Sequence, residues 1–266
     1  MSATIRHTAV AGLFYPGDAT ELKAMVDGLL DSAEADGPPP KAIIVPHAGY
    51  PFSGAVAARA YARLAPLRDR IRRVVLLGPS HRVPLRGIAA PTAELFESPL
   101  GNVPVDQAAI AGLEHLPQVG YRDEAHRLEH SLEVHLPFLQ TLFDDFTLVP
   151  LVVGEARPEQ VAEVLDALWG GEETLIVISS DLSHFHPYDD ARQRDRLTTH
   201  HIENLDYERI QYDDACGRNP VNGLLYLAKQ KGLGMTTLDL CNSGDTAGSR
   251  DRVVGYGAYV LNGGSG

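Results

Sequence analysis

Three apolar, β-branched runs in this 266-residue chain each lead into residues that can bind a metal or move a proton. "KAIIVP" runs into His47 in "PHAGY", "VVLLGPS" runs into His81, and "TLIVISS" runs into Asp181 and His184 in "SSDLSHFH". In open α/β sheets ligands collect beyond the carboxyl ends of the strands, where the connecting loops converge. If the three runs are parallel neighbours, these four side chains face one pocket. One histidine after a strand is more often a cap or a hydrogen-bonded turn residue than a ligand. Three independent coincidences reverse that balance. Glycine and proline beside His47 and His81 add to it, because they set tight turns and leave little bulk near a ligand.

One of only two cysteines, Cys216, sits in the polar stretch "DDACGRNPVNG", an unusual place for a buried structural thiol. Converging imidazoles without a basic cluster point to a transition metal, and the Cys216 thiolate would complete its ligand set. Two histidines and one protein anion leave positions open for water, dioxygen or substrate, which is the pattern of a catalytic site. Arg218 and the start of the following helix would stabilise the thiolate. Cys241, in "LDLCNSG", follows a strand-like run and reads as a buried thiol, or as the alternative ligand. The segment "EAHRLEHSLEVHLPFL" reads as a helix. Its histidines are spaced one residue too far apart for the zincin pattern, so Glu129, His130 and His135 line the pocket or orient ligands, or form a plain polar face.

The elements that must position these groups are those of an α/β domain. Short strand-like runs alternate with amphipathic stretches, including "RPEQVAEVLDALWGG", 189–204 and 220–231, and "DRVVGYGAYVL" reads as a final strand. The expected architecture is a single domain over 1–262, with a largely parallel or mixed central sheet flanked by helices and a flexible tail at 263–266. Hydrophobic residues make up 44% and charged residues 22%, a globular composition, and the net charge of -12 argues against nucleic acid. The first residues lack a signal-peptide pattern, and no apolar run approaches the ~20 residues of a membrane span. Two cysteines without a secretion signal argue against a disulfide framework, and the expected location is the cytoplasm.

The motifs also resemble those of a known family. "AGLFYPGD", "KAIIVPHAGYPFSG", "LLGPSHRVPL", "EHSLEVHLPFL", "SSDLSHF", "CGRNPVNG" and "GDTAG…VVGYGAYV" resemble, in order and spacing, the Memo family, whose prokaryotic members are called AmmeMemoRadiSam system protein B. That name implies association with an AMMECR1-like protein and a radical-SAM protein; the eukaryotic relative is a mediator of receptor-driven cell motility. The family is similar to class III extradiol dioxygenases of the LigB-like fold, in which two histidines and a carboxylate hold a non-haem iron. The resemblance implies that His47, His81 and Cys216 hold iron or copper, with zinc as a third option, Cys216 standing where the dioxygenases use a carboxylate. It also implies an acid/base role for His184, with Asp181 beside it. Asn219 and Phe52 depart from the eukaryotic pattern, which has histidine and tyrosine there. Two functions follow: a metal-dependent oxidoreductase, or a protein that binds a small-molecule or peptide ligand in the former active-site crevice without turnover.

Overall fold

The computed structural model of the chain describes residues 3–262, so the expected tail at 263–266 lies outside the described residues. The strands in chain order are β1 (Ile5–Arg6), β2 (Ala42–Val45), β3 (Arg73–Pro79), β4 (Ile88–Ala90), β5 (Leu95–Ser98), β6 (Gly101–Pro104), β7 (Val119–Tyr121), β8 (Thr147–Val153), β9 (Thr174–Ser179), β10 (His184–His186), β11 (Gly234–Asn242) and β12 (Val253–Asn262). The helices are α1 (Ala19–Asp31), α2 (Tyr50–Ala62), α3 (Gln107–Ala111), α4 (Asp123–Arg127), α5 (Leu136–Leu142), α6 (Pro158–Ala167), α7 (Tyr188–Glu203) and α8 (Arg218–Lys231). Strands β2, β3, β8 and β9 are buried along nearly their whole length. A strand covered on both faces needs apolar residues at every position rather than every second one, which is why these runs are continuous in Val, Ile and Leu. The C-terminal end of α8 is closed by Gly232 in the left-handed region, φ +66°, where a side chain would be strained.

The larger sheet runs β10-β12-β2-β9-β3-β8-β4-β7, with β11 pairing on β12. At its centre β2, β9, β3 and β8 are parallel, and β12 joins β2 antiparallel, so the sheet is mixed. Helix α2 packs on β11 and β12, while α8 packs on β3, β9 and α6. This is the single α/β domain with flanking helices that the alternation of runs predicts. Strands β1, β5 and β6 form a separate small sheet. No helix among the described residues is long and apolar enough to cross a membrane.

The order β2-β9-β3 makes the three runs that end in His47, Asp181 and His81 immediate parallel neighbours. Strand β2 stops at Val45 because Pro46 has no N–H to continue the ladder. Past the end of β9, the Ser180 N–H bonds to the Val45 carbonyl at 2.9 Å. The chain then crosses onto β12, where Leu182 N–H meets the Gly255 carbonyl and Gly255 N–H meets the Ser183 carbonyl, both at 2.8 Å. Residues 181–184 therefore pass over the end of β2, where His47 stands.

The segment read as one helix around Glu129 is not continuous. Helix α4 ends at Arg127, and a bend precedes the 3₁₀ turn Glu133–His135 that leads into α5. The Glu129 carboxylate takes the N–H groups of His130 and Ser131, at 2.9 and 3.0 Å, which a helix would have spent on carbonyls. Glu133, fully buried, anchors the bend by pairing with Arg6. Its two oxygens also accept Ala9 N–H (2.7 Å), Val10 N–H (3.0 Å) and the Tyr15 hydroxyl (2.5 Å). Arg6 donates onward to the carbonyls of His126 (3.0 Å) and Glu129 (2.5 Å). The N-terminal segment is thus clipped onto 126–133 through one desolvated charge pair. Glu133→Gln would strand the Arg6 charge, and removing one partner of a buried pair costs about 3–5 kcal/mol. Urea unfolding of this variant is expected to show a loss of that size, and a loss below about 1 kcal/mol would contradict the anchoring role.

Candidate metal centre

His47 is held by two groups from the neighbouring strand. Its backbone N–H donates to Asp181 Oδ1 at 2.7 Å, and its ring Nδ1 meets Ser179 Oγ at 2.7 Å. The Ser179 hydroxyl has one proton, and it is spent on the Ser131 carbonyl at 2.6 Å, a group that can only accept. Ser179 Oγ must therefore accept from both His47 Nδ1–H and His135 Nε2–H, the latter at 2.9 Å. The Tyr61 hydroxyl completes the chain by donating to His135 Nδ1 at 3.0 Å. With Nδ1 protonated, His47 Nε2 carries a free lone pair, and it lies 3.4 Å from Cys216 Sγ. In a tetrahedral site with ordinary metal–nitrogen and metal–sulfur lengths, that separation is roughly 3.6 Å.

His81 is oriented in the same way by a different group. Its backbone N–H and ring Nδ1 donate to the two oxygens of Glu129, at 2.5 and 2.9 Å, so that in the neutral ring the lone pair is on Nε2. Burial works against charge on Glu129, but the bonds from His81 and its backbone neighbours prevail and hold the carboxyl down at about 2. The ring planes of His47 and His81 stand edge to face with centroids 5.1 Å apart. Nitrogen donors of His47 and His81 and the sulfur of Cys216 all lie within 4.8 Å of one another. The turn carrying Cys216 fits only because residue 217 is glycine, since a Cβ there would sit 2.5 Å from the Ser179 carbonyl oxygen and 2.6 Å from Ser180 Cβ.

The remaining sequence-derived candidates fall in different places. His130 stacks on His81 at 4.7 Å and meets His47 edge-on, with burial pushing its ring down to about 4. His135 lies one hydrogen bond behind His47, on the far side of Ser179. Asp181 does not orient His184: its carboxylate is turned onto the His47 backbone, and His184 Nδ1 bonds instead to the Leu182 carbonyl at 2.8 Å. Arg218 does not meet the thiol either. Its guanidinium stacks over the Tyr212 ring at 4.2 Å, and burial together with Asp181 pushes the Cys216 thiol well up. The expectation of a thiolate stabilised by Arg218 and the helix start is therefore corrected: enclosure outweighs both and favours the protonated thiol. Cys241 is a free thiol on β11 and does not join His47, His81 and Cys216. Ser179 and Tyr61 escape a reading of the sequence; the one available signal is a serine ending an otherwise apolar strand.

Comparison with known proteins follows the same lines. A family model described as "Memo-like protein" matches residues 6–260. A "MEMO1 family protein" of Ignicoccus hospitalis is 37% identical, with 96% of this chain and 97% of that protein covered. Others from Aquifex aeolicus and Sulfolobus acidocaldarius are 37% and 35% identical, each with 95% of this chain and 97% of the relative covered. Among solved structures, an uncharacterized protein of Escherichia coli K12 shares the fold with a TM-score of 0.54 at 18% identity, over 84% of this chain and 99% of that one.

The buried imidazoles make the metal-free protein sensitive to acid. Burial lowers His130 to about 4 and His135 to about 3 from the ordinary 6.5, so the unfolded chain binds protons that the folded chain refuses. Their contribution to stability is complete above pH 6.5 and is lost as pH falls through the window down to about 4 for His130 and about 3 for His135. Asp195, raised by burial to about 6, works in the opposite direction and blunts the slope. The thermal midpoint of metal-free protein is expected to be lower at pH 5 than at pH 7, and an equal or higher midpoint at pH 5 would contradict the neutral state of these rings.

Proposed function

The chain belongs to the Memo-like protein family, and from that premise we propose that it is a metal-dependent oxidoreductase whose iron or copper ion is held by His47, His81 and Cys216. The observation that carries this reading is the convergence of the three donors within 4.8 Å. The bonds from Ser179 and Glu129 support it, because they leave one bare nitrogen on each imidazole. Three protein ligands leave coordination positions open, as catalytic sites require, whereas structural zinc sites are closed by four. Two imidazoles with a thiolate are softer than two imidazoles with a carboxylate and suit copper(I), zinc or electron-rich iron. A bound ion of this kind would supply Lewis-acid or redox chemistry.

The chain's own residues do the remaining work. Ser179 and Glu129 hold the rings so that little orientational freedom is lost on binding. Asp181 locks the turn after β2 and places Oδ2 4.0 Å from His47 Nε2. His184, with Nδ1 held on the Leu182 carbonyl, keeps Nε2 available to take up or deliver a proton, which is the acid/base role proposed for it. Binding of a ligand without turnover is the second reading, favoured by the cavity that opens on Cys216.

Protein loaded anaerobically with iron(II) or copper(I) is expected to hold about one ion per chain. His47→Ala, His81→Ala and Cys216→Ala should each abolish that loading, while Ser179→Ala should keep the site but weaken it by roughly 10–100-fold. Equal loading of the unsubstituted protein and the three alanine variants would contradict the assignment. Loading without oxygen consumption across oxidisable substrates would favour the second reading.

A further inference from the structure

A cavity of about 650 Å³ opens beside the candidate centre, with Cys216 in its wall. This is the size of a small-molecule site. Part of the wall is apolar, formed by Val83, Leu85 and Pro220 among others. The charged part is unbalanced in sign: Arg86 and Arg122 line the cavity against a single carboxylate, Glu155. That excess is local, because the chain as a whole carries 35 acidic and 23 basic residues. Arg86 and Glu155 lie 3.6 Å apart and are both largely exposed, so their pairing is weak and leaves the guanidinium available.

The first turn of α8 adds to the same polarity. Asn219 and Pro220 line the cavity, and with the Arg218 N–H bonded to the Ala215 carbonyl and no N–H on Pro220, the Asn219 N–H is the first-turn donor left over. Helix N-termini favour anions. The wall is also rigid: Asn219 Nδ2 is bonded to the Gly154 carbonyl at 2.6 Å and to the Tyr212 hydroxyl at 3.2 Å, and Tyr212 is stacked against Arg218. Inorganic anions would leave the apolar surface unused, and a neutral hydrocarbon would leave two arginines unmatched.

We propose that this cavity takes a small organic carboxylate, its charge at Arg86 and Arg122, its apolar body along the Val83 and Leu85 wall, and its far end at Cys216. What happens at the sulfur end rests on the metal-centre reading; the selection of an anion does not. The two are separable by using the metal-free protein and letting Cys216 itself report on what enters.

Iodoacetate and iodoacetamide differ in charge and deliver the same reaction. In alkaline buffer, which takes the Cys216 thiol proton, the thiolate attacks the methylene carbon, a C–S bond forms as the C–I bond breaks, and iodide leaves. Cys241 serves as the reference thiol in the same chain, and mass spectrometry reads both sites. The preference for iodoacetate over iodoacetamide at Cys216, relative to Cys241, is expected to be about tenfold. It should fall to about twofold or less in the Arg86→Gln/Arg122→Gln variant and rise in Glu155→Gln. A preference unchanged in the double variant would overturn the proposal, as would equal reaction of Cys216 with both reagents. A chain that shows the preference yet binds no metal would overturn the metal-centre reading alone.

Discussion

One hydroxyl proton organises the centre of this protein. Ser179 can donate only once, and it donates to the Ser131 carbonyl, so both imidazoles that touch its oxygen must come to it as donors. That fixes the protonated nitrogen of His47 and leaves the other bare beside Cys216. Glu129 imposes the same condition on His81 through a carboxylate, which cannot donate at all once ionised. The two histidines thus reach the same state by different chemistry. Neither depends on an ion being present, so the site is arranged in advance of anything it binds.

The sheet makes that arrangement reachable. Placing β9 between β2 and β3 puts Ser179 within hydrogen-bond reach of the first residues past β2 and of the segment that packs below β3. Early termination of β2 at Pro46 vacates the place beside β12 that residues 182–184 then occupy. The Arg6–Glu133 clip holds the other side, because the bend it anchors supplies Glu129, Ser131 and His135 together. Five separate stretches of chain meet at the centre, and each is fixed by hydrogen bonds to another of them rather than by its own secondary structure.

This explains what could be read in the sequence and what could not. The strands were legible because burial on both faces writes itself as unbroken Val, Ile and Leu, and α8 because Gly232 marks its end. His47, His81 and Cys216 were legible because their types and flanking residues are unusual for their positions. Of the groups that orient them, Glu129 was legible as a residue that could hold a ligand, whereas Ser179 and the pairings behind it were not. Ser179 and His135 lie 44 residues apart, and Arg6 and Glu133 lie 127 apart, so no local pattern records the pairing. Helical periodicity around Glu129 misled for a related reason: a carboxylate that captures two backbone N–H groups breaks a helix without any glycine or proline to announce it. Arg218 was placed beside Cys216 by sequence proximity, whereas an aromatic face at Tyr212 offers its guanidinium a better partner than a protonated thiol.

The central claim is that His47, His81 and Cys216 hold a single ion. Crystals of metal-loaded protein, measured on both sides of the absorption edge of the loaded metal, test it most directly. The account predicts one anomalous peak about 2.0–2.1 Å from a nitrogen of each histidine and about 2.3 Å from the sulfur. A peak elsewhere, or none between these three side chains in a crystal that contains the metal, would contradict it.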